Sequence, residues 1–158
     1  MIALCVDPGL AHLGLASVSF RRGRRARVHD ARTIKTSGDL AGRVRSIHDV
    51  AWEMAPAHGV PVLYEALTHL PDKGATAKVW CSLTAVVCAH TGPALCLDPQ
   101  TIKRRLCGSR SAGKAQVRAK VAELVDGWDE VADNHASDAI AAGLAIMQDP
   151  ATWKALGA

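Results

Sequence analysis

No run of this 158-residue chain is apolar for the roughly 20 residues that a membrane-spanning helix needs. The N-terminus also lacks the basic-then-apolar pattern of a secretory signal. These absences lead us to expect a cytoplasmic protein with no membrane partner. No Cys-x-x-Cys spacing occurs, and the five cysteines (Cys5, Cys81, Cys88, Cys96, Cys107) are an odd number, which speaks against zinc and against a disulfide framework. Most of them sit in apolar stretches and are expected to be small core residues. Internal repeats, low-complexity tracts and Pro/Gly-rich linkers are missing too. At 49% hydrophobic and 22% charged, the composition is that of one compact domain over 1–158, not of a disordered chain.

Acidic residues are missing from one long window. Residues 99–122 hold Lys103, Arg104, Arg105, Arg110, Lys114, Arg118 and Lys120 without a single Asp or Glu. Residues 21–32 hold Arg21, Arg22, Arg24, Arg25, Arg27 and Arg32 against Asp30 alone. A basic run is ordinarily a solvated face. Two segregated runs, in a chain of net charge +4, favour a polyanionic partner.

The hydrophobic pattern predicts three strands at 2–7, 13–20 and 26–34, with Arg21–Arg25 as the hairpin between the second and third. Leu40, Val44, Ile47, Val50, Ala51 and Met54 recur at helical spacing and predict a helix over 39–57. A strand at 61–65, a helix at 75–90 and a strand at 94–97 follow. Helical segments are expected at about 99–106, 113–126 and 134–147, then a short turn with Trp153. Pro99 suits a first helical turn, and Asp133 or Asn134 can cap the last long helix. This order gives an α/β fold: a mixed sheet of five strands, three as an antiparallel meander and the others parallel, flanked by helices.

Four groups stand out against that scaffold: Asp7, Glu65, His135 and Asp138. Asp7 ends an apolar strand and opens the turn Asp7-Pro8-Gly9-Leu10; Glu65 ends another. Either alone reads as a strand terminus or a Pro-Gly turn. Two carboxylates at neighbouring parallel strand ends would share one sheet edge, where such sheets place their sites. His135 and Asp138 are three apart and share a helix face, with Ala139 and Ala142 completing a stripe of small residues. A cap explains Asp133 or Asn134 but not Asp138. Carboxylates at buried strand tips are costly unless a cation balances them. Hard oxygen-rich ligands suit Mg²⁺, with Mn²⁺ as a substitute, and a pair of such ions is a recurrent device in phosphodiester chemistry. Gly108 to Gly113-Lys114 imitates half of a P-loop. Ala115 replaces the hydroxyl such a loop requires and no apolar strand precedes it, so a flexible basic loop is the better reading.

Together these pieces resemble the RuvC family of Holliday junction resolvases, whose fold is RNase H-like. The resemblance runs from Asp7-Pro8-Gly9-Leu10 and Gly14, through Glu65, then Pro99-Gln100-Thr101-Ile102-Lys103, Gly108 and Lys114-Ala115-Gln116-Val117, to His135 and Asp138-Ala139. It implies a metal-dependent endonuclease that cuts four-way junctions or other branched DNA by symmetric paired nicks, leaving 5′-phosphate and 3′-hydroxyl ends. It implies a homodimer built on the helix 75–90, with Val79, Trp80, Leu83 and Val87 as anchors. A bacterial nucleoid or phage setting and a branch-migration helicase partner fit the same resemblance. Asp7 is expected to bridge two Mg²⁺ ions, with Glu65 and Asp138 completing their shells and His135 as a ligand or general acid/base. Lys103 and Lys114 are expected at phosphates near the scissile bond, as catalytic groups. Arg104, Arg105, Arg110, Arg118, Lys120, Arg24 and Arg25 are expected to add DNA contacts. Family members commonly carry an aromatic residue shortly after the strand-end Glu. Here Ala66 to Leu70 offers none, leaving His69 or Leu70 for insertion at the crossover. Two rivals share this scaffold: a nuclease acting on RNA or RNA–DNA hybrid, and a non-catalytic junction-binding protein. The second would be expected to lack a carboxylate, and all four positions are filled. A single actin-like ATPase lobe would need a second chain.

Overall fold

A computed structural model describes residues 1–55, 57–67, 73–131 and 133–157. The elements run β1 (Ile2–Asp7), β2 (His12–Ser19), β3 (Ala26–Lys35), α1 (Leu40–Met54), β4 (Val60–Glu65), α2 (Lys73–His90), β5 (Thr91–Leu97), α3 (Pro99–Cys107), α4 (Lys114–Leu124), β6 (Val125–Asp126), α5 (Asn134–Met147) and α6 (Pro150–Ala155). One six-stranded sheet has the order β5-β4-β1-β2-β3-β6. The meander β1–β2–β3 is antiparallel, and β4, β5 and β6 join in parallel.

The sheet has two unlike faces because successive side chains point opposite ways. Leu4, Val6, Leu13 and Leu15 pack with Ile47 and Ala51 of α1 and Ala85 and Val86 of α2. Ala3, Cys5, Ala16 and Val18 face α5, with α3 and α4 beyond it. The second face is lined by small residues because α5 lies very close to it. A Cβ on Gly143 would stand 2.2 Å from Cys5 Sγ, and a Cβ on Gly14 would stand 2.1 Å from the His135 carbonyl oxygen. Gly14 is therefore required by close approach: it lets the first turn of α5 settle on β2.

The meander does not end the sheet, as the five-strand pattern had it. The helix expected over 113–126 stops at Leu124, and Val125–Asp126 turns outward to pair with Ala26 and Arg27. Arg25 fixes this end by donating to the carbonyls of Ala122 (3.3 Å) and Val125 and by pairing with Asp126 at 3.0 Å. The cysteines also differ from expectation. Only Cys5 is buried; Cys81 and Cys107 are half-buried, and Cys88 and Cys96 are exposed. Strand β5 and the outer side of α2 are surfaces that their apolar sequences did not announce. On α2, Leu83 lies in the core at 2% exposure, whereas Trp80 is 50% exposed.

Candidate active site

Strands β1 and β4 end in step: Val6 pairs with Tyr64, so Asp7 and Glu65 follow as the next pair along the two strands. Adjacent strands lie about 4.8 Å apart, which makes the two carboxylates near neighbours by backbone geometry alone. Helix α5 supplies the other half. Asp133 is its N-cap, accepting from the Ala136 amide at 3.2 Å, and it also takes a hydrogen bond from Thr33 of β3. That anchor aims the first turn of α5 at the strand ends. His135 Nδ1 then lies 2.8 Å from Asp7 Oδ2. Asp138, one turn on, meets Lys114 Nζ at 3.6 Å.

These side chains line a cavity of about 300 Å³, together with Lys103 and the apolar walls Pro99, Ile102, Val117 and Ala141. Helix α3 delivers Lys103. Its N-cap Asp98 accepts from the Thr101 amide, and Pro99 opens its first turn. Lys114 opens α4 behind the N-cap Gly113.

Burial pushes the Glu65 carboxyl up to about 7, the charges of Asp7 and Asp138 push the same way, and Lys103 and Lys114 pull against them. Burial raises Asp7 as well; the His135 hydrogen bond opposes it, and the Asp138 charge adds to it. The cavity thus holds partly buried carboxylates that also repel one another, with Lys103 and Lys114 opposing that repulsion. Among the described residues, no three acidic, His or Cys side chains converge closely enough to grip an ion as they stand. As they stand, the imidazole takes an Asp7 oxygen and Lys114 reaches an Asp138 oxygen. The donor set nonetheless fits a hard divalent cation, being three carboxylates and one imidazole with uncompensated repulsion at partly buried positions.

The expected basic contacts separate into groups. Lys103 and Lys114 line the cavity. Arg104 and Arg110 are exposed. Arg118 lies over the Trp128 ring at 5.1 Å and donates to Asn134 Oδ1 at 3.3 Å, beside the start of α5. Lys120 pairs with Glu123 at 2.7 Å. Arg105 turns inward, bonding the Ala145 carbonyl at 2.9 Å and Asp149 at 3.1 Å; its guanidinium pins α3 to α5. Arg24 and Arg25 are not brought to the cavity. Their hairpin adjoins Met1, whose carbonyl accepts from the Phe20 amide at 2.8 Å, while Asp7 is at the other end of β1. Six strand residues separate those ends by roughly 17–20 Å. His69 and Leu70 lie outside the described residues.

One residue at the site was not anticipated. The ring of His12, the first residue of β2, stacks on His135 with centroids 5.7 Å apart and planes within 7°. The β1–β2 register contained the signal: Asp7 faces Gly14, so residues just before Gly14 overhang the strand ends.

Known proteins resemble this chain in sequence and in fold. The family model for "Crossover junction endodeoxyribonuclease RuvC" matches residues 3–147. A protein of that name from Mycobacterium avium is 30% identical over 172 aligned residues, covering 98% of this chain and 83% of the relative. One from Clavibacter sepedonicus is 31% identical, covering 98% and 76%. Among solved structures, Thermus thermophilus RuvC in complex with Holliday junction substrate superposes with a TM-score of 0.81 at 26% identity, over 99% of this chain and 96% of that one. The yeast mitochondrial Holliday junction resolvase Ydc2, at 13% identity and a TM-score of 0.63 over 98% and 80% of the two chains, shares the fold.

Proposed function

The chain belongs to the RuvC family of crossover junction endodeoxyribonucleases, and from that premise we propose that it is a metal-dependent endonuclease that resolves Holliday junctions. The observation that carries this reading is the convergence of Asp7, Glu65, His135 and Asp138 on one cavity flanked by Lys103 and Lys114.

Asp7, Glu65 and Asp138 would hold Mg²⁺, two ions in the finer form of the proposal, with His135 beside them. When bound, the metal supplies Lewis-acid activation of a water and charge relief at the departing 3′-oxygen. The chain's own groups do the rest. With an ionised Asp7, His135 Nδ1–H donates to Oδ2, which fixes the ring and leaves the Nε2 lone pair free to take a proton. Lys103 and Lys114 bind phosphate oxygens next to the scissile bond and offset charge that grows there during displacement. The apolar walls Ile102 and Val117 limit water in the cavity and strengthen those interactions.

The assembly we propose is a homodimer, since two symmetric nicks require two sites and a two-fold dimer supplies them with one interface. Leu83 is a core residue and Val79 and Val87 are half-buried, while the exposed side of α2 includes Trp80, Thr84 and Cys88. With Leu40 and Val44 of α1 they line an open groove of about 930 Å³. Light scattering at micromolar concentration tests the dimer: twice the chain mass supports it, and a monomer that stays single on junction DNA refutes it. Cleavage of a four-way junction with Mg²⁺, followed by end analysis, tests the chemistry; 3′-phosphate ends would refute it.

A further inference from the structure

The β2–β3 hairpin closes a second cavity of about 510 Å³ at the end of the molecule away from the carboxylates. Its apolar walls are Phe20, just after β2, Leu144 and Met147 of α5 and Trp153 of α6. Its rim is Arg21, Arg22, Arg24 and Arg25, and among the described residues no Asp or Glu lines it. Concave apolar floors with a few convergent polar groups are the usual form of a binding site.

The walls are held in place before any ligand arrives. Trp153 Nε1 donates to the Met147 carbonyl at 2.9 Å, which fixes α6 on the end of α5. Arg22 lies over the Trp153 ring at 5.4 Å. Arg25 is tied to Asp126 and to the Ala122 and Val125 carbonyls, so it serves as a strut for the hairpin. Arg21 and Arg24 differ: both are exposed, and among the described residues neither side chain has a hydrogen-bond or ion-pair partner. Two uncommitted guanidinium groups thus stand at the mouth of an apolar pocket.

We propose that this cavity docks an acidic peptide segment of a partner protein, with an aromatic or large aliphatic side chain in the pocket and carboxylates on Arg21 and Arg24. Arginine binds carboxylate through paired, charge-assisted hydrogen bonds, which gives direction as well as attraction. The apolar floor distinguishes the peptide from a duplex. Phosphates on a convex helix would satisfy the arginines but leave the cavity between them and the half-buried Trp153 unfilled. A peptide satisfies both halves of the site. Because this surface sits at the opposite end of β1 and α5 from the carboxylates, a partner can be held while the nuclease cavity is engaged.

The test uses the full chain and a fluorescein-labelled nonapeptide of Asp, Glu and Ser ending in Phe, with a second peptide ending in Ser. Anisotropy should show saturable binding of the first, with Arg21→Ser/Arg24→Ser and the loss of Phe each weakening it by at least about tenfold. Both arginines are exposed, so the variant keeps its fold, which thermal melting checks. Saturating four-way junction DNA should leave the peptide bound, and peptide addition should shift the Trp153 indole resonance. Equal affinity for both peptides would mean charge alone and overturn the pocket. Displacement by the junction would make the surface a nucleic-acid contact and overturn the peptide. Absence of binding to either peptide would overturn the site itself.

Discussion

Both ends of α5 carry basic groups over a cavity, and the two ends use them in opposite ways. At the N-terminal end, Lys103 and Lys114 face Asp7, Glu65 and Asp138, and the charge balance stays negative. At the C-terminal end, arginines face Phe20, Met147 and Trp153, and among the described residues no acid lines the pocket. Net charge is the same sign in the two basic sequence windows, yet only one is built around carboxylates. A basic run therefore says that an anion is welcome; the groups beneath it decide whether chemistry or docking follows. Excess carboxylate calls for a metal, and an apolar floor calls for a side chain.

The sharpest way to break this contrast is to remove charge from the negative end. Asp7→Asn keeps the shape of the strand tip and should lower cleavage by at least about a thousandfold, the scale of several kcal/mol of lost charge stabilisation. Junction binding measured by anisotropy should stay within about tenfold, because the proposed phosphate contacts belong to Lys103 and Lys114 and not to Asp7. A normally cutting Asp7→Asn protein would remove the metal-site assignment. His135→Ala should slow single-turnover cleavage by about a hundredfold or more, the usual size of a general acid/base contribution. His135→Asp should recover part of that loss, as a carboxylate can serve beside Asp7, and a wild-type rate in His135→Ala would leave the ring a packing role.

Smaller effects sharpen the same comparison. Gly14→Ala forces a methyl into the His135 carbonyl, a main-chain atom that cannot rotate away. Overpacking of that kind costs about 1–3 kcal/mol and should lower Tm by several degrees, with cleavage falling as His135 moves off Asp7. Unchanged melting would show that α5 does not rest on β2 there. The pH dependence follows from Glu65, held at about 7 in the fold against an ordinary 4.5. The folded chain binds this proton more tightly than the unfolded one. Its contribution is therefore fully present below about pH 4.5 and is lost as pH rises through 7. Metal-free wild type should lose Tm over that window relative to Glu65→Gln, and Mg²⁺ should raise wild-type Tm more at pH 8 than at pH 5.5. The reverse trend in calorimetry would mean that burial and the neighbouring carboxylates do not hold the Glu65 carboxyl above its ordinary value.

Much of the active end was readable from local pattern. An apolar strand that stops on Asp7 or Glu65, and a helix whose small-residue stripe carries His135 and Asp138, each state which face a side chain takes. Parallel pairing then brings the strand ends together without further information. What local pattern omits is the partner across the fold. Arg105 and Arg104 are sequence neighbours, yet one is spent on Ala145 and Asp149 and the other reaches solvent. Arg24 and Arg25 carry no local sign that the meander sets them at the end of β1 away from Asp7. Leu83 and Trp80 share an apolar helix, but the sheet takes the first and leaves the second exposed. Gly14 stood out only as part of the family pattern, whereas its structural reason is close approach to the His135 main chain. Strand β6 is two residues long, too short for any periodicity to show.

The most direct test of the central claim is cleavage of matched four-way, three-way and linear duplex DNA by purified wild type and Asp7→Asn, with Mg²⁺ and with chelator. Paired symmetric nicks in the four-way junction, with 5′-phosphate ends and dependence on both Mg²⁺ and Asp7, are predicted. Equal cutting of linear duplex, or cutting that survives chelation or the loss of Asp7, would contradict the account.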